Sequence, residues 1–187
     1  MVPTDDPTWT SLREHLAQLG QGEPLLAPAL EKYRSHSSME SALASLLAEK
    51  LSDRLVGPTV LEELLLEAFR DPAISEAMHQ DLNAVVQRDP AAGGHAVPFL
   101  FFKGFQGLQS YRAAHFYWTR GRILLARHLQ SRVSEVFAMD IHPAAVIGSG
   151  IMIDHGTSVV IGETAVVGDD VSMLHEVALG GTGKDIG

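Results

Sequence analysis

The sequence predicts an all-α part over residues 1–139, followed by the first coils of a left-handed parallel β-helix over 140–187, incomplete at Gly187. Three observations carry this reading. Apolar residues recur at helical spacing as far as about Glu135. From Ile141 the apolar period changes to six. Glycine then follows the leading aliphatic residue at Gly148, Gly162, Gly168 and Gly180. No helix tolerates that density of glycine, and a plain strand would show period two.

In the helical part, Asp6-Pro7 opens a first helix carrying Trp9, Leu12, Leu16 and Leu19, closed by Gly20 and Gly22. A second is expected from about Glu23 to Arg34. Ser37 with Glu40 reads as a capping box ahead of Leu43, Leu46, Leu47 and Leu51, and Thr59 with Glu62 as another ahead of Leu61, Leu64 and Leu65. Asp71-Pro72 supplies a cap and an N1 proline for a fifth helix ending near Gln87. After a loose loop over residues 91–96, two more helices are expected at Pro98–Trp118 and Arg122–Glu135, separated by Gly121.

In the repeat, Ile141, Ile147 and Ile153 lead three units. After a two-residue insertion, Ile161, Val167, Met173 and Leu179 lead four more. A six-residue unit builds one flat face of a triangular coil, so three units make a turn. The leading aliphatics stack inward and the glycines serve the corners.

Composition narrows the function classes. A formal charge of −9 disfavours general binding to nucleic acid or an acidic membrane. The absence of cysteine excludes disulfides and thiolate metal sites. An acidic start without an apolar segment is no signal peptide, and no apolar run has the length of a membrane span; even Val97–Phe102 is cut by Lys103. A cytoplasmic protein is expected.

A repeat has no chemistry of its own, so function must come from residues that break it. The clearest break is Ile153-Asp154-His155-Gly156-Thr157, just before the insertion. Asp140 precedes the first coil and lies fifteen residues before His155, where one coil takes eighteen. That count puts a carboxylate near an imidazole, in the form of a general-base dyad. The plain alternative is a solvated corner histidine and a strand-capping aspartate. His142 reads as structural. Taken with His155 and His175 it lacks the close-spaced pair that a three-histidine zinc site requires, so no metal is expected. Gly180-Gly181-Thr182-Gly183-Lys184 lacks the spacing of a phosphate loop. In a solenoid, Gly181, Thr182 and Gly183 are better read as permitting close approach of a ligand. No Ser/His/Asp or Cys/His nucleophile set is visible, which speaks against a covalent acyl-enzyme.

Several segments together resemble the bacterial serine acetyltransferases, hexapeptide-repeat acyltransferases. They are Asp140-Ile-His-Pro-Ala-Ala, Gly150-Ile-Met-Ile-Asp-His155, Gly162-Glu-Thr-Ala-Val and Leu179-Gly-Gly-Thr-Gly-Lys184 in the coil. In the helical part they are Arg88-Asp89-Pro90-Ala91 and Phe102-Lys-Gly-Phe-x-x-Leu-Gln-x-Tyr-Arg112. The resemblance runs from about Pro72 to Lys184.

It implies acetyl transfer from acetyl-CoA, a co-substrate, to the hydroxyl of L-serine, the first step of cysteine biosynthesis, with no permanently bound cofactor. His155 matches the family's base and Asp140 its carboxylate partner. Asp89 and Asp154 match the acids that hold the substrate ammonium, in a pocket that cysteine occupies as feedback inhibitor. A homo-oligomer, a trimer or a dimer of trimers, is implied, with active sites between neighbouring β-helices. The family continues past the glycine-rich segment into an Arg-His pair that helps bind serine, further coils, and a tail that docks O-acetylserine sulfhydrylase. This chain stops before them, so residues 1–187 alone are expected to have little activity. The rival expectations are an acetyltransferase for another hydroxyl and a non-catalytic assembly or regulatory protein.

Overall fold

The computed structural model describes residues 6–181. Eight helices run through the first part of these residues: α1 (Pro7–Gly22), α2 (Ala27–Arg34), α3 (Met39–Leu51), α4 (Pro58–Phe69), α5 (Pro72–Arg88), α6 (Ala96–Phe101), α7 (Lys103–Thr119) and α8 (Ile123–Phe137). Seven short strands follow: β1 (Met139–Ile141), β2 (Val146–Ile147), β3 (Met152–Ile153), β4 (Val159–Ile161), β5 (Val166–Val167), β6 (Ser172–Met173) and β7 (Ala178–Leu179). No helix among the described residues is long and apolar enough to cross a membrane.

Local chemistry explains the helix starts, including those that differ from expectation. The Asp6 carboxylate accepts from the Thr8 and Trp9 amides and caps α1 as predicted. Helix α2 begins at Ala27, later than Glu23, because Pro28 has no amide hydrogen and fits a helix only in its first turn. Residues before it form a turn closed by Leu26 N–H to the Glu23 carbonyl. The capping box of α3 is Ser38 with Ser41, one residue beyond the predicted Ser37 and Glu40; Glu40 instead accepts from the Ser75 hydroxyl of α5. Helix α4 starts at Pro58 after Gly57, without a side-chain cap, so Thr59 lies inside it. The helix expected over Pro98–Trp118 is broken at Phe102, which leaves the helical region at ψ 103° and separates α6 from α7.

The strands pair in parallel on three faces, β1-β4-β7, β2-β5 and β3-β6, as expected for the left-handed β-helix. Ile141, Ile147, Ile153, Ile161, Val167 and Met173 are buried in its interior. Met139 stacks under Val159, a step of twenty residues (159 − 139), whereas Val160 stacks under Ala178, a step of eighteen (178 − 160). The first coil therefore carries both inserted residues, in the corner between β3 and β4.

Helices and coil share one apolar core, running from Leu12 and Leu43 through Phe105, Phe137 and Met139 to Ile153 and Met173. A buried ion pair locks the two parts together. Asp81 of α5 is 0% exposed and Arg112 of α7 is 7% exposed, with Nη2 2.7 Å from the carboxylate. Asp81 Oδ2 also accepts from Gln109 Nε2 (2.8 Å), and Oδ1 accepts from the Ile151 amide (2.9 Å). Arg112 Nη2 donates onward to the Gly148 carbonyl at 2.7 Å. Burial pushes the Asp81 carboxyl above the usual range, opposed by the Arg112 charge and these hydrogen bonds.

Two residues further along α5, a pair of imidazoles fastens α1. His95 Nε2 donates to Asn83 Oδ1 (2.9 Å), an amide oriented by its own bond to Thr8 Oγ1, so His95 Nδ1 accepts from the Ser11 hydroxyl (3.0 Å). His15 Nδ1 accepts from the Ala96 amide at 3.0 Å. The ring sits where a Cβ on Gly94 (φ 127°) would approach within 2.6 Å, so Gly94 is needed both for its backbone and for its missing side chain. Burial holds both rings below the ordinary imidazole range, and at His95 the neighbouring His15 adds to this.

Two outcomes follow from this packing. Arg112→Met, which leaves the Asp81 carboxylate buried without its cation, is expected to cost roughly 3–5 kcal/mol of stability, and Asp81→Leu/Arg112→Met together much less. Urea unfolding checks both; a single-variant loss under about 1 kcal/mol removes the pair from its locking role. The depressed His15 and His95 contribute stability that is complete above about pH 6.5, the unfolded imidazole value, and is lost as pH falls through their folded values. The melting temperature should therefore drop between pH 8 and 5.5, and drop less in His15→Asn, which keeps an acceptor but cannot titrate. An equal drop in that variant would place the titrating group elsewhere.

Candidate active site

The Asp89, Asp154 and His155 side chains line one cavity of ≈ 460 Å³, closed on its other side by the Phe101–Gly104 segment where α6 gives way to α7. Each acid is held by its local backbone. Asp89 ends α5, donating its amide to the Val85 carbonyl. The following Pro90 turns the chain, and Asp89 Oδ1 accepts from the Ala91 amide at 2.8 Å, which fixes the carboxylate. Asp154 follows β3, its amide bonded to the Met173 carbonyl one coil on at 2.8 Å.

His155 stands in the inserted corner with φ 58°, in the left-handed region, as do Gly156 (φ 69°) and Ser158 (φ 59°). A non-glycine residue adopts this backbone at a cost of about 1–2 kcal/mol, and here it turns the imidazole outward. The side chain is 71% exposed. Its Nε2 lies 3.7 Å from Asp154 Oδ1, beyond hydrogen-bond range but within the reach of an ion pair. The ring meets His175 edge-on at 5.8 Å between centroids. Gly156 is held against α7, where an added Cβ would lie 3.2 Å from the Gly104 Cα.

Asp140 does not meet His155 within the chain, contrary to the dyad expected from the sequence. It occupies the outward-facing middle position of β1 and its Oδ1 accepts from Gln130 Nε2 of α8 at 2.7 Å. It lines a separate depression with Arg127, Ser131 and Glu135. The reason is the length of the first coil: with a step of twenty, the residue stacked on Asp140 is Val160, and His155 lies a corner earlier. Gly181, exposed, lines a third cavity of ≈ 390 Å³ at the open end of the coil, with Gly162, Glu163 and Gly180. Thr182 and Gly183 lie outside the described residues. His142 packs edge-on against Trp118 at 5.0 Å, in keeping with a structural role.

Lys103 is the cavity residue that reading the sequence passed over. Its Nζ donates to Thr157 Oγ1 in the His155 corner. The signal was present as the one charge interrupting the apolar segment from Val97 to Phe105. The assembled cavity presents two carboxylates suited to an ammonium group, an imidazole able to take a proton, and one ammonium of the protein's own.

The chain is similar to known proteins both in sequence and in fold. The family model described as "Serine acetyltransferase, N-terminal" matches residues 8–110. Serine acetyltransferase 2 of Arabidopsis thaliana is 48% identical over 99% of this chain and 58% of its own length. The soybean serine acetyltransferase solved in complex with serine superposes with a TM-score of 0.94 at 43% identity, over 100% of this chain and 78% of that one. The serine acetyltransferase of Brucella abortus strain S19 solved with coenzyme A gives a TM-score of 0.93 at 40% identity, over 98% of this chain and 74% of that one. The chain spans 52–60% of the length of the plant relatives that it matches. With a matching family model over more than half its residues and a shared architecture with solved members at 40–43% identity, the chain belongs to the serine acetyltransferase family.

Proposed function

We propose that the protein transfers the acetyl group of acetyl-CoA to the hydroxyl of L-serine, giving O-acetylserine for cysteine biosynthesis. The observation that carries this reading is the meeting of Asp89, from the helical part, with Asp154 and His155, from the coil, in one cavity. The two carboxylates offer an ammonium-bearing substrate the charge it needs, which a neutral sugar hydroxyl would not require. His155 accepts the serine hydroxyl proton as the oxygen attacks the thioester carbonyl. The tetrahedral oxyanion then collapses, the C–S bond breaks, and the imidazolium returns its proton to the departing CoA sulfur. Asp154, 3.7 Å from the ring, steadies the imidazolium while it exists.

Asp140 enters this proposal as a carboxylate for an imidazole of a neighbouring copy. Its outward position, and the exposed Val146, Val160, Val166 and Leu174 on the coil, support a homo-oligomer, a trimer or a dimer of trimers, with the active site completed between copies. Acetyl-CoA is a co-substrate; the exposed glycine at 181 is where its approach to the coil is proposed. Cytoplasmic residence, inhibition by cysteine and docking of O-acetylserine sulfhydrylase belong to the same reading through the family.

In the full-length protein, His155→Ala should lower acetyl transfer by roughly 10²–10⁴-fold with the fold intact, followed as CoA release with serine and acetyl-CoA. Activity within a few-fold of wild type would remove His155 from the mechanism. Asp89→Asn and Asp154→Asn should raise the KM for serine and weaken cysteine inhibition together, since both ligands carry the same ammonium. Inhibition that survives while serine binding collapses would put cysteine at a different site.

A further inference from the structure

We infer that Lys103 is a positioning residue for this reaction: its ammonium, bonded to Thr157, holds the left-handed corner that presents His155. The inference rests on His155 acting as the base. The corner over residues 154–158 departs from the regular coil by its two inserted residues, with His155 and Gly156 at positive φ ahead of Ser158, whose counterparts Ala138 and Glu176 share its positive φ. Its backbone ties are few. They are Asp154 N–H to the Met173 carbonyl, Gly156 N–H to the Asp154 carbonyl, Ser158 N–H to the Ala138 carbonyl and Glu176 N–H to the Thr157 carbonyl, with the bond that closes the turn, Val159 N–H to the Gly156 carbonyl, long at 3.4 Å.

The first turn of α7 brackets this corner from both flanks. On one side Gly104 is pressed against β3 so closely that a Cβ would lie 1.9 Å from the Ile153 carbonyl oxygen. On the other, Lys103 Nζ bonds Thr157 Oγ1, the only side-chain hydrogen bond to residues 154–158 among the described residues. A charged donor makes the stronger kind of hydrogen bond, and the flexible lysine stem lets it span from a helix to a loop. The break between α6 and α7 at Phe102 thereby acquires a purpose: it aims the start of α7 at the corner.

The ionisable groups at the cavity are Asp89 from the end of α5, Asp154 and His155 from the corner, Lys103 from α7, and His175 against the His155 ring. Lys103→Met removes both the tie and the one ammonium among these groups. Thr157→Val removes the tie and leaves that charge in place.

The test is steady-state acetyl transfer by the full-length protein and its Lys103→Met, Lys103→Arg, Thr157→Val, Thr157→Ser and doubly substituted Lys103→Met/Thr157→Val variants. A displaced base costs roughly 10–100-fold in kcat. That loss is expected in Lys103→Met and Thr157→Val, with the KM for acetyl-CoA unchanged. Lys103→Arg and Thr157→Ser should recover much of it. The double variant should be no worse than the worse single one. Losses that multiply in the double variant, or Lys103→Met within twofold of wild type while His155→Ala is inactive, would overturn this inference alone. An active His155→Ala would overturn the reading of the site on which it rests.

Discussion

The contact on which the rest depends is the Asp81–Arg112 pair, sealed between α5, α7 and the first coil. Each of its charges is expensive to bury, and each is matched to a backbone group of the coil: Asp81 to the Ile151 amide and Arg112 to the Gly148 carbonyl. Because hydrogen bonds are directional where apolar packing is not, this pair sets the coil in one orientation against the helices. Arg88 extends the grip at the end of α5, donating to the Gly150 carbonyl and to the Asp170 carboxylate. Asp89, the next residue, is brought to the His155 corner through the same clasp.

The coil itself supplies rigidity without chemistry, and the chemistry sits where its repeat fails. Two extra residues in one corner leave the stacks of Ile141 on Ile161 and Ile147 on Val167 intact, yet free His155 from the pleat. The strained backbone there is opposed by neighbours on three sides: β1 below through Ala138, the next coil above through Glu176, and α7 alongside.

Much of this was legible in the sequence, for identifiable reasons. One buried aliphatic per six residues is a strong periodic signal, so the strands and the inserted corner could be read directly. What failed was the count: eighteen residues per coil holds for the second turn and not for the first, and that difference moved Asp140 away from His155. Helix starts slipped where two neighbouring positions fitted the same pattern, as with Ser37 and Ser38, or where a proline overrode a good cap, as with Pro58 ahead of Thr59. The break at Phe102 carries no proline or glycine of its own. It is imposed by contact with β3, far along the chain. Asp81 likewise reads as one more polar residue on an amphipathic helix, since its burial depends on an arginine 31 residues later.

The continuous core has a consequence for how the protein is made. The interior of the first coil is walled partly by α5 and α7, so those strands have little to fold against until the helices are in place. During synthesis the helices emerge first and make mostly local contacts, which form quickly. Asp81 and Arg112 leave the ribosome before Gly148 and Ile151, so the pair can form ahead of the backbone groups it holds. The helical half thus serves as the template on which the first turn of the solenoid is wound, and each later turn is laid on the one before it.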